Sequence, residues 1–487
     1  MKFQNSSKLI ALLAATVVSG GALSSLAQEA RRPNIVFILL DNVGQEWFGC
    51  YGSEEGCTPN IDRLAAAGVR VEHCYTPPVC GPSRTVLLTG RYSHSTGFRL
   101  HHDAALYSGG GLDPKREIIF PRLLRDAGYV TGMTGKWQIN NLYDEPDALS
   151  QHGFQEQLVW PGSIDRTKVS VGEWEKFQDI VRRESYEEAV AFNLHIESRY
   201  WDPVFLRGGK REVLSGRFGP DVCQEFAIDF LGRHRERPFF LYLPMLLVHG
   251  QTFSIPAVPT PLNRTPGRSD QEMFADMLRY ADRLIGELVA ELERQGLREN
   301  TIVFIASDNG TDKKIQARRN GRTVQGDLYA LTEAGGDVVL MANSPKLVPG
   351  GRTIPLADFS DLYPTICELT GVPHSPRHKP DGRSFAAQLR GMNAPPHREW
   401  ILNEYHTTRV VRDTRFKLYS DGRMFDASAD PAELQNLAAN LNPTTATAKR
   451  RLEEVLASLP PDNPPPFKLR SLSAFKIAGE KYQTPAP

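Results

Sequence analysis

An excess of charge is the first thing this chain lacks: 57 basic side chains stand against 57 acidic ones in 487 residues. That balance argues against a dedicated nucleic-acid surface and gives no sign of a basic membrane-binding face. Cysteine is scarce, at six residues, so the chain is not a disulfide-dense scaffold. Internal repeats are absent. No apolar run reaches the roughly 20 residues a membrane-spanning helix needs.

What is present begins with a leader. Lys2 and Lys8 precede the apolar stretch LIALLAATVV and a small-residue exit, SGGALSSLAQEA. This order reads as a secretory signal over residues 1–27, cut after Ala27, and predicts export to the periplasm or beyond. An oxidising compartment permits disulfides among Cys50, Cys57, Cys74, Cys80, Cys223 and Cys367, with no pairing legible from spacing. The remaining length suits one large domain or two smaller ones.

Three runs are continuously apolar: NIVFILL ending at Asp41-Asn42, PFFLYLPMLLV ending at His249, and NTIVFIA ending at Ser307-Asp308-Asn309-Gly310. Short and rich in β-branched or aromatic residues, they predict strands buried on both faces of a parallel sheet. GYVTGMTG, delivering Lys136, is a poorer fourth. Helical patterns alternate with them in TPNIDRLAAAG (Thr58 as cap), REIIFPRLLRDAG, the long SDQEMFADMLRYADRLIGELVAELERQG and SDLYPTICELTG. The alternation predicts an α/β fold: a large mixed, mainly parallel sheet sandwiched by helices.

Ligands of such sheets bind beyond the carboxyl ends of the strands. Asp41, Asn42, Lys136, His249, Asp308 and Asn309 all stand at such ends and are expected to converge. From about Gln138 to Arg233 the pattern is poor and reads as an excursion over the sheet that shapes a pocket. Proline and basic residues in VPHSPRHKPDGRS suggest a boundary, placing a catalytic domain at 28–375 and a small α+β subdomain with a proline-rich tail at 376–487. There, RVVRDTRFKLYSDGRMFD reads as short strands around Asp421-Gly422, and DPAELQNLAANL as a helix.

The chemistry concentrates in VCGPSRTVLLTGR, Val79 to Arg91. Pro82 suits the first turn of a helix and Gly90 its end. Cys80 then lies at the helix N-terminus, where backbone N–H groups favour an anion, with Arg84 one turn in. That is a cradle for a tetrahedral oxyanion such as sulfate or phosphate.

The same segment resembles the signature of the sulfatase family, within the alkaline phosphatase-like superfamily. RPNIVFILLDN, GCYG, TPNIDRLAAAG, TGKW, ASDNG, DLYPTICELTG and RDTRFKLYSDGRMFD also look like sulfatase segments, in family order. The resemblance implies that a maturation enzyme oxidises Cys80 to formylglycine. One hydroxyl of the hydrated aldehyde then attacks the sulfur of a sulfate ester, and loss of a proton from the other expels sulfate and restores the aldehyde. It further implies that Asp41, Asn42, Asp308, Asn309 and the modified Cys80 hold a divalent cation, calcium first and magnesium as an alternative. Arg84, Lys136 and His249 are the other catalytic residues so implied, with Lys136, His249 and Gln138 facing the substrate. A histidine after an apolar strand is by itself more often structural; the family order is what promotes His249. His101, His102 and Asp103 form a polar cluster after the signature, read first as a solvated loop and second as reaching the pocket mouth.

Three positions depart from the family pattern. Asn42 stands where aspartate is usual, Gln138 where histidine is usual, and Leu328 where a substrate-gripping lysine is usual. The losses remove one full cation and one titratable group from the sulfate's surroundings. Lys313, Lys314, Arg318, Arg319 and Arg322 lie nearby in sequence as possible substitutes. The expected activity is hydrolysis of a sulfate ester on a small molecule or, more specifically, a carbohydrate. A phosphate or phosphonate ester hydrolase of the same superfamily and a non-catalytic sulfated-glycan binder stand as rivals.

Overall fold

Hydrophobic runs too short for helices become the centre of the sheet. The computed structural model describes residues 32–99, 111–162, 165, 168–182, 188, 198–249, 258–259 and 269–464. The proposed leader and the His101–Asp103 cluster lie outside that set.

Eleven strands form the main sheet. In chain order these are β1 (Asn34–Leu40), β2 (Val69–Tyr75), β3 (Val130–Lys136), β4 (Glu156–Trp160), β5 (Val204–Arg207), β6 (Lys210–Val213), β7 (Phe239–Pro244) and β8 (Thr301–Ser307). After a hairpin of β9 (Gln316–Arg319) and β10 (Arg322–Gln325), the sheet is completed by β11 (Asp337–Val338), β12 (Leu340–Asn343) and β13 (Arg352–Asp358). The spatial order is β11-β2-β12-β8-β1-β7-β3-β4-β5-β6, with β13 also on β2. Neighbours from β8 through β1, β7 and β3 to β4 run parallel, and antiparallel strands flank them.

Every residue of β1, β7 and β8 is buried. Alternate residues serve opposite faces, as strand geometry requires: Val36, Ile38 and Leu40 pack under the helices Pro59–Ala66, Gly219–Arg233 and Asp270–Arg294. Ile35, Phe37 and Leu39 pack under Cys80–Thr89, Phe120–Asp126 and Leu362–Thr370. The predicted helix–sheet–helix sandwich is therefore the fold. A smaller antiparallel sheet follows, β14 (Ile401–Tyr405), β15 (Thr408–Arg412), β16 (Phe416–Tyr419) and β17 (Met424–Asp426). One face lies on Tyr75, Val79 and Leu356 of the main domain, and the Pro443–Ser458 helix covers the other through Ala448 and Leu452.

Several local expectations are corrected. The Gln138–Arg233 excursion does not merely cross the sheet; its strands β4, β5 and β6 extend one edge. The second apolar run leaves the sheet at Pro244, so His249 sits on a loop rather than at the strand tip. DPAELQNLAANL is not a helix beyond the single 3-10 turn Leu437–Ala439. Glu433 takes a left-handed φ of 57° there, which interrupts a helix, and its carboxylate accepts a hydrogen bond from Lys417 Nζ at 2.6 Å. Thr58 does not cap its helix, because its Oγ1 accepts from Gly49 N and donates to Asp62. Among the described residues, no helix is long and apolar enough to cross a membrane. All six cysteines are unpaired.

Candidate active site

Cys80 opens the helix Cys80–Thr89, which Gly90 ends in the left-handed region at φ 65°. The helix is buried along its whole length, so its N-terminal dipole faces the protein interior rather than water. Around the thiol the strand tips converge. Cys80 Sγ lies 3.4 Å from Asp41 Oδ1, 3.5 Å from Asn42 Oδ1 and 3.3 Å from Lys136 Nζ. Lys136 Nζ also donates to Asp41 Oδ2 at 2.7 Å.

β1 and β8 are neighbours in parallel register, which sets their tips side by side. Asp308 N donates to Leu40 O, and Asn42 N donates to Asp308 Oδ1 at 3.1 Å. Asn309 Nδ2 reaches Asn42 Oδ1 at 2.7 Å. Arg84 does not point a free fork at an incoming anion. Its Nε and Nη2 donate to Asp308 Oδ2 at 3.1 and 2.7 Å, and its Nη1 donates to Lys136 O at 2.6 Å. It therefore locks the β8 tip to the β3 tip.

Asp41, Asp308, Arg84 and Lys136 are all fully buried, two carboxylates against two cations. Burial, and then repulsion from Asp41, push the Asp308 carboxyl up against the pull of Arg84 and Lys136. Burial also pushes the Cys80 thiol far above its ordinary value, with Asp308 and Asp41 adding to the effect and Lys136 and Arg84 opposing it. An unmodified thiol here is a poor nucleophile.

His249 enters from the loop after β7. Asp41 N donates to Leu247 O and Val248 N to Asp41 O, so that loop is stitched to the end of β1. One ring nitrogen of His249, Cys80 Sγ and an Asp41 carboxylate oxygen lie within 4.8 Å of one another. Arg199 Nη2 is 2.8 Å from His249 Nδ1. An arginine can only donate, so Nδ1 accepts and the ring carries its proton on Nε2. Tyr200 OH lies 2.7 Å from Leu246 O and 2.9 Å from His249 O, so its one proton is shared between them and anchors the same loop. Arg199 and Tyr200 stand in the patternless excursion with no motif around them, so the sequence alone does not mark them.

The donor chemistry fits a hard divalent cation. Asp41, Asn42, Asp308 and Asn309 offer only oxygen, and Asn309 Oδ1 is buried with no hydrogen-bond partner. Gln138, two residues past Lys136, adopts a left-handed φ of 55° and leaves its buried Oε1 without a partner. Leu328 is buried, and its N–H donates to Thr311 O, two residues from Asn309. Three of the sequence-adjacent cations have partners elsewhere. Lys313 pairs with Asp327 and Arg318 with Glu54, while Arg319 bonds Tyr51 O and Gln45 Oε1. Lys314 and Arg322 are exposed.

Fold and site together define an α/β protein with a buried, charged centre at the carboxyl ends of its parallel strands. The sulfatase family model matches residues 33–372, and the chain belongs to that family: it is a sulfuric ester hydrolase. It is 27% identical to an N-acetylgalactosamine-6-O-sulfatase of Bacteroides thetaiotaomicron, over 94% of this chain and 99% of the relative. It is 30% identical to human arylsulfatase A, over 84% of this chain and 80% of the relative. Among solved structures, the PsFucS1 sulfatase from Pseudoalteromonas sp. superposes with a TM-score of 0.66 at 22% identity, covering 90% of this chain and 93% of that one. Another, solved with its substrate D-glucosamine-2-N,6-O-disulfate, gives 0.65 at 21% identity, covering 88% and 98%. At these identities the structural likeness speaks for the fold.

Proposed function

We propose that this sulfatase is exported, after removal of residues 1–27, and hydrolyses a sulfate ester of a carbohydrate. Residues 28–375 are its catalytic domain and 376–487 a bracing subdomain and tail. The carbohydrate reading draws support from the amino-sugar sulfates named for one curated relative and for one structural neighbour. A maturation enzyme is its partner before activity, converting Cys80 to formylglycine, whose hydrated aldehyde supplies the nucleophilic hydroxyl and the means of releasing sulfate. Asp41, Asn42, Asp308 and Asn309 would hold the divalent cation, calcium or alternatively magnesium, which offsets oxyanion charge.

The chain's own residues do the rest. Lys136, held by Asp41, presents its ammonium beside residue 80 and meets a sulfate oxygen. Arg84 keeps the Asp308 carboxylate and the Lys136 backbone in fixed relation. His249, with Nδ1 occupied by Arg199, offers its Nε2 proton to the departing alcohol oxygen. Gln138 supplies an amide to the substrate where a histidine is usual, so it hydrogen-bonds without titrating.

The observation that carries this reading is the convergence of Asp41, Asn42 and Lys136 on Cys80 within 3.5 Å. The test is co-expression with a maturation enzyme, mass spectrometry of the peptide spanning Val79 to Arg84, and parallel assays on aryl sulfate and aryl phosphate. Converted protein is expected to favour the sulfate, and Cys80→Ala to lose at least about 1,000-fold in kcat. Preference for phosphate, or retention of sulfated glycan without release of sulfate from converted protein, would replace this reading with one of its rivals.

A further inference from the structure

Among the described residues, Arg199 carries a buried charge with no counter-ion. The side chain is 4% exposed. Its Nη2 bonds a neutral imidazole nitrogen at 2.8 Å and, more weakly, His249 O at 3.4 Å. Its Nε has no partner, and among the described residues no carboxylate pairs with it. The guanidinium lies over the rings of Trp160 and Tyr200, at 5.1 and 5.3 Å from their centroids. Three of the other buried arginines meet carboxylates: Arg84 is met by Asp308, Arg398 by Asp358 and Asp361, and Arg412 by Glu333. Arg298, also buried, instead donates to two neutral oxygens, Thr301 O and Asn343 Oδ1. An arginine cannot discharge to relieve its burial. Aromatic faces return only part of the lost hydration. What remains is a standing demand for an anion.

The position of Arg199 says where that anion comes from. Through His249 it stands one imidazole ring from the Cys80–Asp41 centre. By the family pattern Leu328 stands where a lysine would serve this centre, and the cations near it in sequence are paired elsewhere or exposed. Trp160 ends β4 and Tyr200 pins the His249 loop, so the guanidinium is held on rigid supports.

We infer that Arg199 binds an oxyanion of the substrate and supplies the positive charge that Leu328 cannot. The oxyanion is either the ester sulfate itself or a second sulfate or carboxylate on the same sugar. This rests on the sulfatase reading above.

The test compares the wild-type full chain with Arg199→Met, which keeps a stem on Trp160 and drops the charge. Both are produced with the maturation enzyme and checked for conversion. Removal of an unpaired buried charge is expected to leave the melting temperature of the ligand-free protein unchanged or raised. Inorganic sulfate is expected to raise the melting temperature of the wild type more than that of the variant, and to inhibit the variant at least about tenfold more weakly. The loss in kcat/KM is expected to reach about 100-fold. A loss on a monoanionic aryl sulfate places the grip on the ester sulfate. A loss confined to a hexosamine disulfate places it on the neighbouring anion.

A variant that fails to fold or melts lower gives Arg199 a structural role and overturns the inference. So do equal kinetics and equal response to inorganic sulfate. If converted wild-type protein releases no sulfate from any ester, the sulfatase reading fails instead, while the melting comparison still decides whether Arg199 binds an oxyanion.

Discussion

Asn42 turns the chain directly after β1 with a φ of 60°, a left-handed conformation that asparagine and aspartate both tolerate. Its Oδ1 faces Cys80 Sγ and accepts from Asn309, while its Nδ2 has no partner. Asn42→Asp therefore fits the backbone and adds a third buried carboxylate beside Asp41 and Asp308, with only Arg84 and Lys136 to oppose them. Calcium affinity follows the charge of the oxygen set. The variant is expected to bind calcium at least about tenfold more tightly in a calorimetric titration, and to melt at a lower temperature than wild type once chelated, because its repulsion is then uncompensated. Unchanged affinity would remove Asn42 from the ligand set. Residues of this kind were legible in the sequence because each follows an apolar strand, and strand ends mark the ligand side of a parallel sheet. Arg199 was not legible, since its meaning comes from a partner 50 residues away.

The strands carrying these residues approach one another more closely than side chains allow. Gly135, just before Lys136, has a φ of 122°, and a Cβ placed there would lie 1.9 Å from Pro244 O on β7. That obstacle is backbone, and moving it would shift both β3 with Lys136 and the start of the His249 loop. Gly135→Ala is expected to cost more than about 3 kcal/mol in urea unfolding, since strained backbone and overpacking act together. Whatever protein survives should show displaced Lys136 chemistry as a fall in kcat/KM. Wild-type stability in this variant would mean that β3 and β7 are free to separate. At this scale the central strands could be read from continuous burial, but the edge strands could not. β6 is Lys-Arg-Glu-Val, with no buried residue and no apolar pattern to announce it. The segment read as a helix after β17 failed for a similar reason: a tertiary tie from Lys417 to Glu433 overrides local propensity.

Across the whole molecule, the small sheet is fastened to the large one by charge as well as by the contacts of Ile401, Val410 and Tyr419. Arg412 on β15 pairs with Glu333, and Lys417 Nζ on β16 reaches the same carboxylate at 3.1 Å and Leu331 O at 2.6 Å. Glu333 begins the short turn that leads into β11, so this cluster braces the segment containing Leu328 against the main sheet. Burial pushes the Glu333 carboxyl up, but Arg412, Lys417 and His73 outweigh it and hold the group below its ordinary 4.5. A depressed carboxyl contributes stability that is complete above the unfolded value and is lost as pH falls towards the folded one. Arg412→Met removes the largest of those attractions and leaves the part-buried carboxylate to Lys417, with His73 and the Tyr75 hydroxyl as weaker support. The expected loss is about 3 kcal/mol near neutral pH, at the low end for a broken buried pair because Lys417 remains. The sign of the pH effect follows. As pH drops below 4.5 the wild type loses the contribution that the variant already lacks, so their urea midpoints should draw together. Midpoints separated by the same interval above and below that value would mean that Glu333 does not fasten the two sheets through its charge, and that apolar contact alone holds the subdomain in place.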